Sequence, residues 1–420
     1  MGFSPFCDKI TEMTSFWDNL PQPFFILAPM EAVTDVVFRH VVKRAGAPDV
    51  FFTEFANATG WVHAGDKAIA GRLVKTDDEH PLVAQIWGGE PGDMEQFAAH
   101  CAKLGFDGID INMGCPAKSA IKSGGAALIR RPDVAVSAIA AAKTAGLPVS
   151  VKTRLGYTYI DEWREWLTTI LQQDIVNLTI HLRTKKEMSK VPAHYELIND
   201  IIKLRDEIAP QTLLTINGDI RDQTHGLELV RQHPGINGVM IGRGIFSDPF
   251  CFRASRAVSQ KKSGQLYVGP GLFSDDTREM GNTYAKLGAV DCSRIVNTPA
   301  ERSRSISSGD ASEKSTPAQE RGADDADFYD DIRGVSETTR KEHSEGAELS
   351  ITTRKTELIA LLHYHLNLFD HYQATLGRPY ETLKRFFKIY IRDFDGAKEL
   401  REKLMHTKNT SEVRQILEKI

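Results

Sequence analysis

The chain has 420 residues, with 52 Lys and Arg against 56 Asp and Glu and 41% hydrophobic residues. These values exclude a wholly disordered chain, a collagen-like repeat and a multi-span membrane protein. The charge is uneven: residues 1–259 carry 27 basic and 30 acidic side chains, 260–350 carry 12 and 17, and 351–420 carry 13 and 9.

Residues 1–23 read as an N-terminal extension. They lack the basic start and apolar run of a signal peptide, and Phe6 stands where a myristoylation pattern needs Ser or Thr. From Phe24 onward, short apolar runs alternate with amphipathic stretches. The runs are Phe24–Met30, Val50–Phe55, Leu82–Trp87, Gly108–Met113, Val149–Leu155, Val176–Leu182, Thr212–Asn217 and Gly238–Gly242. Their length and lack of alternation predict strands buried on both faces. Helical spacing fills the gaps at Asp35–Ala45, Met94–Leu104, Asp133–Ala145, Ile160–Gln172, Tyr195–Ile208 and Gly226–His233. Eight such units predict an α/β fold, a (β/α)8 TIM barrel over 24–259. An open doubly wound sheet is the competitor, but no G-x-G-x-x-G follows the first strand.

Over 260–350 the pattern fails. Ser303–Gln319 holds almost no large apolar residue, and Asp324–Asp331 is an acidic run, so this stretch reads as a low-complexity, acidic, disordered insertion. It is either a solvated linker or a partner-binding segment. Over 351–420 helical spacing returns. Leu383, Phe386, Phe387, Tyr390 and Ile391 form an apolar stripe, and Arg385, Lys388 and Arg392 occupy another face of the same predicted helix. This predicts a small helical domain with a basic face.

The five cysteines, Cys7, Cys101, Cys115, Cys251 and Cys292, form no C-x-x-C pair. A disulfide framework and a metal site therefore have no support, and a reducing cytoplasm is the expected compartment. No run approaches the roughly 20 apolar residues of a membrane span.

Active sites of such barrels lie at the carboxyl ends of the strands. Read there, the sequence offers Ala28-Pro29-Met30, Gln85, Asn112 through Cys115, Lys152 and Arg154, His181 and Arg183, Asn217-Gly218 and Gly242-Arg243. Lys152 and Arg154 leave one face of a strand and suit an anion, or structural carboxylate partners. Gly218 and Gly242 let backbone amides approach a phosphate, or simply serve turns. His181 reads equally as a ligand-binding residue and a satisfied core histidine. Cys115, in a Gly-Cys-Pro turn on the rim, is placed as a nucleophile or proton donor, or is a small buried apolar residue.

Taken in order, Ala28-Pro29-Met30 with Thr34-Asp35, Asn112-Met113-Gly114-Cys115-Pro116, Gly124-Gly125-Ala126, Lys152-Thr153-Arg154, His181-Leu182-Arg183-Thr184, Asn217-Gly218-Asp219 and Gly242-Arg243-Gly244 resemble a tRNA-dihydrouridine synthase. The resemblance covers Phe24 to Phe252 and resumes over Leu358–Leu417, which is similar to the family's helical tRNA-binding domain.

The resemblance implies FMN at the barrel mouth and NADPH, or NADH, as reductant. The reaction it implies is reduction of the 5,6 double bond of chosen uridines in tRNA, with hydride passing from reduced flavin to carbon 6. It assigns Cys115 as the general acid toward carbon 5 and Asn112 to the uracil edge. Pro29, Met30, Gln85 and Lys152 would line the flavin ring, and His181, Asn217, Gly218, Gly242 and Arg243 would hold the ribityl phosphate. Arg154 and Arg183 would lie near the substrate nucleotide, and Arg385, Lys388 and Arg392, with Lys384 and Arg378 near them, would contact tRNA phosphates. A monomer is the expected state, with no membrane and no metal partner. Two other readings stay open: another FMN-dependent barrel oxidoreductase acting on a small pyrimidine or enone, and a tRNA-binding protein without turnover. The chain departs from the family in the long segment between barrel and helical domain, which the family usually lacks.

Overall fold

The computed structural model describes residues 15–253 and 346–420. Most of the predicted insertion, together with Cys7 and Cys292, lies outside the described residues.

Nine parallel strands form one sheet: β1 Phe24–Leu27, β2 Phe51–Phe52, β3 Ala56–Asn57, β4 Leu82–Trp87, β5 Gly108–Met113, β6 Val149–Arg154, β7 Asn177–His181, β8 Leu213–Asn217 and β9 Gly238–Ile241. β1 pairs with β9, and the order runs through β8, β7, β6, β5 and β4 to β2. An Ile26–Val50 bridge joins the two ends. β2 and β3 both pair with β4 and make up one stave, so eight staves close a (β/α)8 barrel, as the periodicity predicts.

The barrel interior is divided. On the β1–β3 side Phe24, Ile26, Ala28, Val50, Phe52, Val83 and Met240 form an apolar filling, with Trp17 packed beneath Phe24 at 5.7 Å between ring centres. On the other side, residues in register share the inward face. Gln85 pairs with Asp110 and Asp110 with Ser150; Asn112 pairs with Lys152; Arg154 pairs with His181 and His181 with Asn217. A buried polar group is costly unless satisfied, so this polar half needs an internal network.

Outside the strands, Pro91–Lys103, Pro132–Lys143, Trp163–Leu171, Ile198–Ile208 and Gln223–Gln232 are helices that cover the sheet. The helix Val36–Gly46 is capped by Asp35, whose carboxylate accepts from the Phe38 N–H at 3.0 Å. The second part of the chain opens with the 31-residue helix Gly346–Leu376 and closes with helices Ala397–Met405 and Thr410–Leu417. Between them the predicted single helix is instead two short 3-10 turns, Tyr380–Thr382 and Lys384–Phe386, and the short helix Phe387–Tyr390. Its stripe is buried as predicted: Leu383, Phe386, Phe387, Tyr390 and Ile391 are all in the core. Burial on so many sides, rather than one helical face, favours tertiary packing over a regular helix.

The two parts share an apolar seam. Phe38 lies 5.0 Å from Phe386 and 6.1 Å from His365 between ring centres, and Val36 and Val37 pack with Tyr372 and Leu376. Arg354–Asp248 at 2.8 Å and Arg253–Glu357 at 3.1 Å pin its edge. Among the described residues, no helix is long and apolar enough to cross a membrane, and no cluster of His, Cys, Asp and Glu is placed to hold a metal.

Candidate active site

A chain of side-chain hydrogen bonds climbs the polar half of the barrel. It starts at Asp110, fully buried in the middle of β5. Asp110 accepts from the Ser150 hydroxyl at 2.6 Å and from Gln85 Nε2 at 2.7 Å. Gln85 Oε1 in turn accepts from Asn112 Nδ2 at 3.0 Å. Asn112 Oδ1 then accepts the backbone N–H of Gly114 at 3.0 Å and of Cys115 at 2.9 Å. The polarity is set from both ends: an ionised carboxylate only accepts and a backbone N–H only donates, so both amides have a single consistent orientation. Burial pushes the Asp110 carboxyl up to about 6 against the bonds from Ser150 and Gln85 and the Lys152 charge.

Asn112 therefore carries the turn on which Cys115 sits. A second brace comes from β6, where Arg154 Nε donates to the Gly114 carbonyl at 2.7 Å. The same guanidinium donates to Thr184 O at 3.2 Å and Met188 O at 3.0 Å, which ties the turn to the loop after β7. From the other side, Ala126 N–H donates to Cys115 O at 3.0 Å. Gly125 makes this close approach possible: its φ is +56°, and a Cβ there would lie 2.9 Å from the Cys115 carbonyl. Cys115 is half-buried, whereas Cys101 and Cys251 are fully buried in the core. Burial pushes the Cys115 thiol up, opposed by the Ala117 N–H and by the Arg154 and Lys152 charges, so it holds its proton at neutral pH.

A cationic cluster faces this turn across β6 to β9. Lys152 Nζ lies 3.4 Å from Asn217 Oδ1, and Asn217 Nδ2 donates to Met240 O at 2.9 Å. Burial, helped by the Arg154 charge, lowers Lys152 to about 8. Arg183 is buried: it donates to Val191 O at 2.6 Å, to His181 Nε2 at 3.0 Å and to the Asp219 carboxylate. Because a guanidinium only donates, His181 Nε2 is the acceptor and the ring proton sits on Nδ1. Burial and the surrounding Arg154, Lys152, Arg183 and Arg243 charges hold His181 well below its usual range, so it is neutral. Arg243 reaches the other oxygen of Asp219 at 3.1 Å. Gly218, at φ +125°, is buried between Ala193 and His181, and a Cβ at Gly242 would meet only Ala28 Cβ, at 3.5 Å. The rim here is thus positive and bare of side chains at Gly242, and Pro29 and the buried Met30 follow Ala28 at the end of the neighbouring strand β1. A phosphate monoester fits this chemistry.

The dihydrouridine synthase (Dus) family profile matches residues 26–272. A "Probable tRNA-dihydrouridine synthase 2" of Bacillus subtilis (strain 168) is 46% identical over 406 residues, covering 96% of each chain. A "Probable tRNA-dihydrouridine synthase" of Staphylococcus aureus (strain Mu50 / ATCC 700699) is 44% identical, covering 96% of this chain and 95% of that one. The chain belongs to the dihydrouridine synthase family. A solved 2-naphthoyl-CoA reductase complex overlaps at a TM-score of 0.39 with 10% identity, over 54% of this chain and 49% of that chain, which is too distant to bear on the reaction.

Within this dihydrouridine synthase, the residues predicted at the strand ends come together on one rim. Arg154 and Arg183 are buried there and donate to carbonyls of the loops they brace. The predicted basic face also divides. Lys388 is exposed and Arg385 half-buried, its Nε on Thr382 O at 2.9 Å. Arg392 lies beyond the end of the short helix and donates to the carbonyls of Phe246, at 3.2 Å, and Ser247, so it clamps the second part of the chain to the barrel. Arg378 likewise pairs with the buried Glu54 in the break between β2 and β3, with Asp35 at 3.9 Å. Sequence reasoning missed Asp110, Ser150 and Glu54, and gave no role to Asp219. Asp110 had a signal: a carboxylate inside a strand buried on both faces requires a partner.

Proposed function

We propose that the protein is a tRNA-dihydrouridine synthase, an oxidoreductase that uses FMN and NADPH to reduce the 5,6 double bond of chosen uridines in tRNA. The observation that carries this reading is Cys115: a half-buried, protonated thiol on the barrel rim, held by Asn112 and Arg154 beside a cationic, glycine-lined rim. Family membership and the names of the relatives support the substrate.

The residues fit FMN. Arg243, Asn217, neutral His181 with its Nδ1 proton, and the Gly218 and Gly242 backbone would hold one phosphate; Pro29, Met30, Gln85 and Lys152 would line the ring. FMN, once bound and reduced by NADPH, supplies the hydride for carbon 6 of the base. Cys115 gives its proton to carbon 5, and the nearby Arg154 and Lys152 charges stabilise the thiolate left behind. Asn112 spends one amide hydrogen on Gln85, which leaves the other for a uracil carbonyl. A uridine stacked in tRNA must leave the stack to reach the rim, at a cost of about a few kcal/mol, so contacts elsewhere on the RNA must offset it. In this reading the exposed Lys388 and the half-buried Arg385 contribute phosphate contacts, Arg392 sets the placement of the second part of the chain, and Arg154 and Arg183 act near the nucleotide by holding its loops.

The purified protein is expected to be yellow and, with NADPH, to form dihydrouridine in tRNA taken from cells that lack the gene. A colourless protein that cannot be reconstituted with FMN, or flavoprotein that leaves this tRNA unmodified, would end the reading.

A further inference from the structure

Two of the four large hydrophobic side chains exposed among the described residues are neighbours on the active face. They are Tyr159, 65% exposed, and Ile160, 37% exposed, on the loop that follows β6. That loop is held from within. The Glu162 carboxylate accepts the backbone N–H of Tyr157 at 2.5 Å, Thr158 at 3.1 Å and Tyr159 at 2.9 Å. A Cβ at Gly156 would lie 2.7 Å from the Tyr159 carbonyl, so the turn closes on bare backbone. Three cations gather on the same loop. Arg130 lies 3.9 Å from the Tyr157 ring centre and donates to Thr158 Oγ1 at 3.0 Å. Lys185 lies 5.1 Å from the Tyr157 ring and Lys186 5.7 Å from the Tyr159 ring. Against them, Glu162 is committed to backbone amides and Asp161 is exposed.

Neither the relay below Cys115 nor the cationic cluster uses any of these residues. A fixed, exposed aromatic beside several cations is the combination that takes up unpaired nucleotides, since every base has a face to stack and every linkage a charge. The patch is small for a protein interface, whose buried centre is broad and poor in charge. It lies on the loops after β5, β6 and β7, the strands whose carboxyl ends carry the Cys115 turn, Arg154 and His181.

We propose that Tyr159 is a stacking platform for a nucleotide of the RNA that flanks the reacting one, with Arg130, Lys185 and Lys186 meeting its phosphates. This rests on the RNA-substrate reading above. The test uses the full-length, flavin-loaded protein and labelled tRNA, titrated at several salt concentrations. Tyr159→Ala is expected to weaken binding about tenfold with little change in salt dependence, while Tyr159→Phe stays near wild type. Lys185→Ala with Lys186→Ala is expected to lower the salt slope by about one to two. The rate of flavin reduction by NADPH, the control for folding, stays unchanged in all three. Tyr159→Ala binding tRNA as well as wild type overturns the platform, even if the lysine variants weaken binding. A wild-type protein that makes dihydrouridine in tRNA separates that failure from failure of the functional reading, whereas one that binds no tRNA overturns both.

Discussion

Asn112 and Cys115 are joined through the main chain: Asn112 Oδ1 accepts the Cys115 N–H at 2.9 Å, so the residue that ends the buried relay also shapes the turn bearing the thiol. Asn112→Asp keeps that acceptor but replaces the amide donor with a carboxylate oxygen beside Gln85 Oε1. We expect Asn112→Asp to retain the fold and lose about 10²-fold in kcat/KM toward tRNA, because an acceptor then stands where a uracil carbonyl needs a donor. Steady-state kinetics together with the near-UV circular dichroism spectrum checks this; an unchanged kcat/KM would remove Asn112 from substrate contact.

Cys115→Ala is expected to lower dihydrouridine formation by about 10² to 10⁴-fold while flavin reduction by NADPH and tRNA binding persist. The pH dependence has a definite sign. The protonated thiol is the active form and burial raises its pKa, so the rate should stay level through neutral pH and fall only on the alkaline side of the usual thiol range. Cys115→Ser should abolish that alkaline fall along with most of the rate. A profile that already declines between pH 7 and 8 in the wild type, and not in Cys115→Ser, would mean that the thiol is acidic instead.

The strands were legible where apolar runs are continuous. Gly108–Met113 and Leu82–Trp87 match β5 and β4 residue for residue. Val50–Phe55 was less so, because the stave splits into Phe51–Phe52 and Ala56–Asn57: the Gln85 N–H goes to Thr53 Oγ1 at 3.0 Å, so a side chain interrupts the ladder. The rim residues could be read because they close their strands. Their roles could not, since those depend on contacts distant in sequence: Gln85 lies 25 residues from Asp110, and Arg378 lies 324 residues from Glu54. The same distance effect hid the fate of Arg392, which faced barrel carbonyls rather than solvent.

Asp110 offers a test of the relay. In Asp110→Asn the new amide can keep its oxygen toward Gln85 and donate to the Ser150 hydroxyl, which reverses from donor to acceptor without moving. That variant is expected to stay near wild type in stability and rate. Asp110→Ala leaves Gln85 Nε2 unsatisfied in the core, at about 1–3 kcal/mol, and leaves the Ser150 hydroxyl only its long bond to Ile109 O at 3.4 Å. Chemical denaturation is expected to show that loss, with a fall in kcat for dihydrouridine formation. Equal destabilisation by Asn and Ala would count against the reversible serine.

Gly242 faces open space, with only Ala28 Cβ within 4 Å of a built Cβ. Gly242→Val should therefore fold with little strain yet obstruct the rim beside Arg243. The expected result is purified protein with a normal melting transition and most of its visible flavin absorbance gone. Full flavin content in Gly242→Val would place the phosphate elsewhere.

Glu54 and Arg378 couple the barrel to the second part of the chain. Glu54 is fully buried with its Oε1 unpartnered, and Arg378 pairs with its other oxygen. Burial, assisted by the Asp35 and Glu31 charges, outweighs Arg378 and lifts Glu54 to about 7. The linkage follows from that direction. A carboxyl whose folded pKa lies above its unfolded value, about 4.3, binds more protons when folded, so its contribution is fully present below the unfolded pKa and is lost as pH rises through about 7. Glu54→Gln removes the titration while preserving the shape. Its melting temperature is expected to vary less with pH between about 4.5 and 7 than that of wild type. Arg378→Ala should cost more at pH 8, where loss of the guanidinium forces the buried Glu54 carboxylate to take up a proton, than at pH 5, where Glu54 is already protonated. Adding Glu54→Gln to Arg378→Ala should restore much of the loss at pH 8. Melting curves of the four proteins at both pH values complete the cycle, and a loss from Arg378→Ala that is equal at pH 5 and pH 8 would show that Glu54 does not titrate in this range.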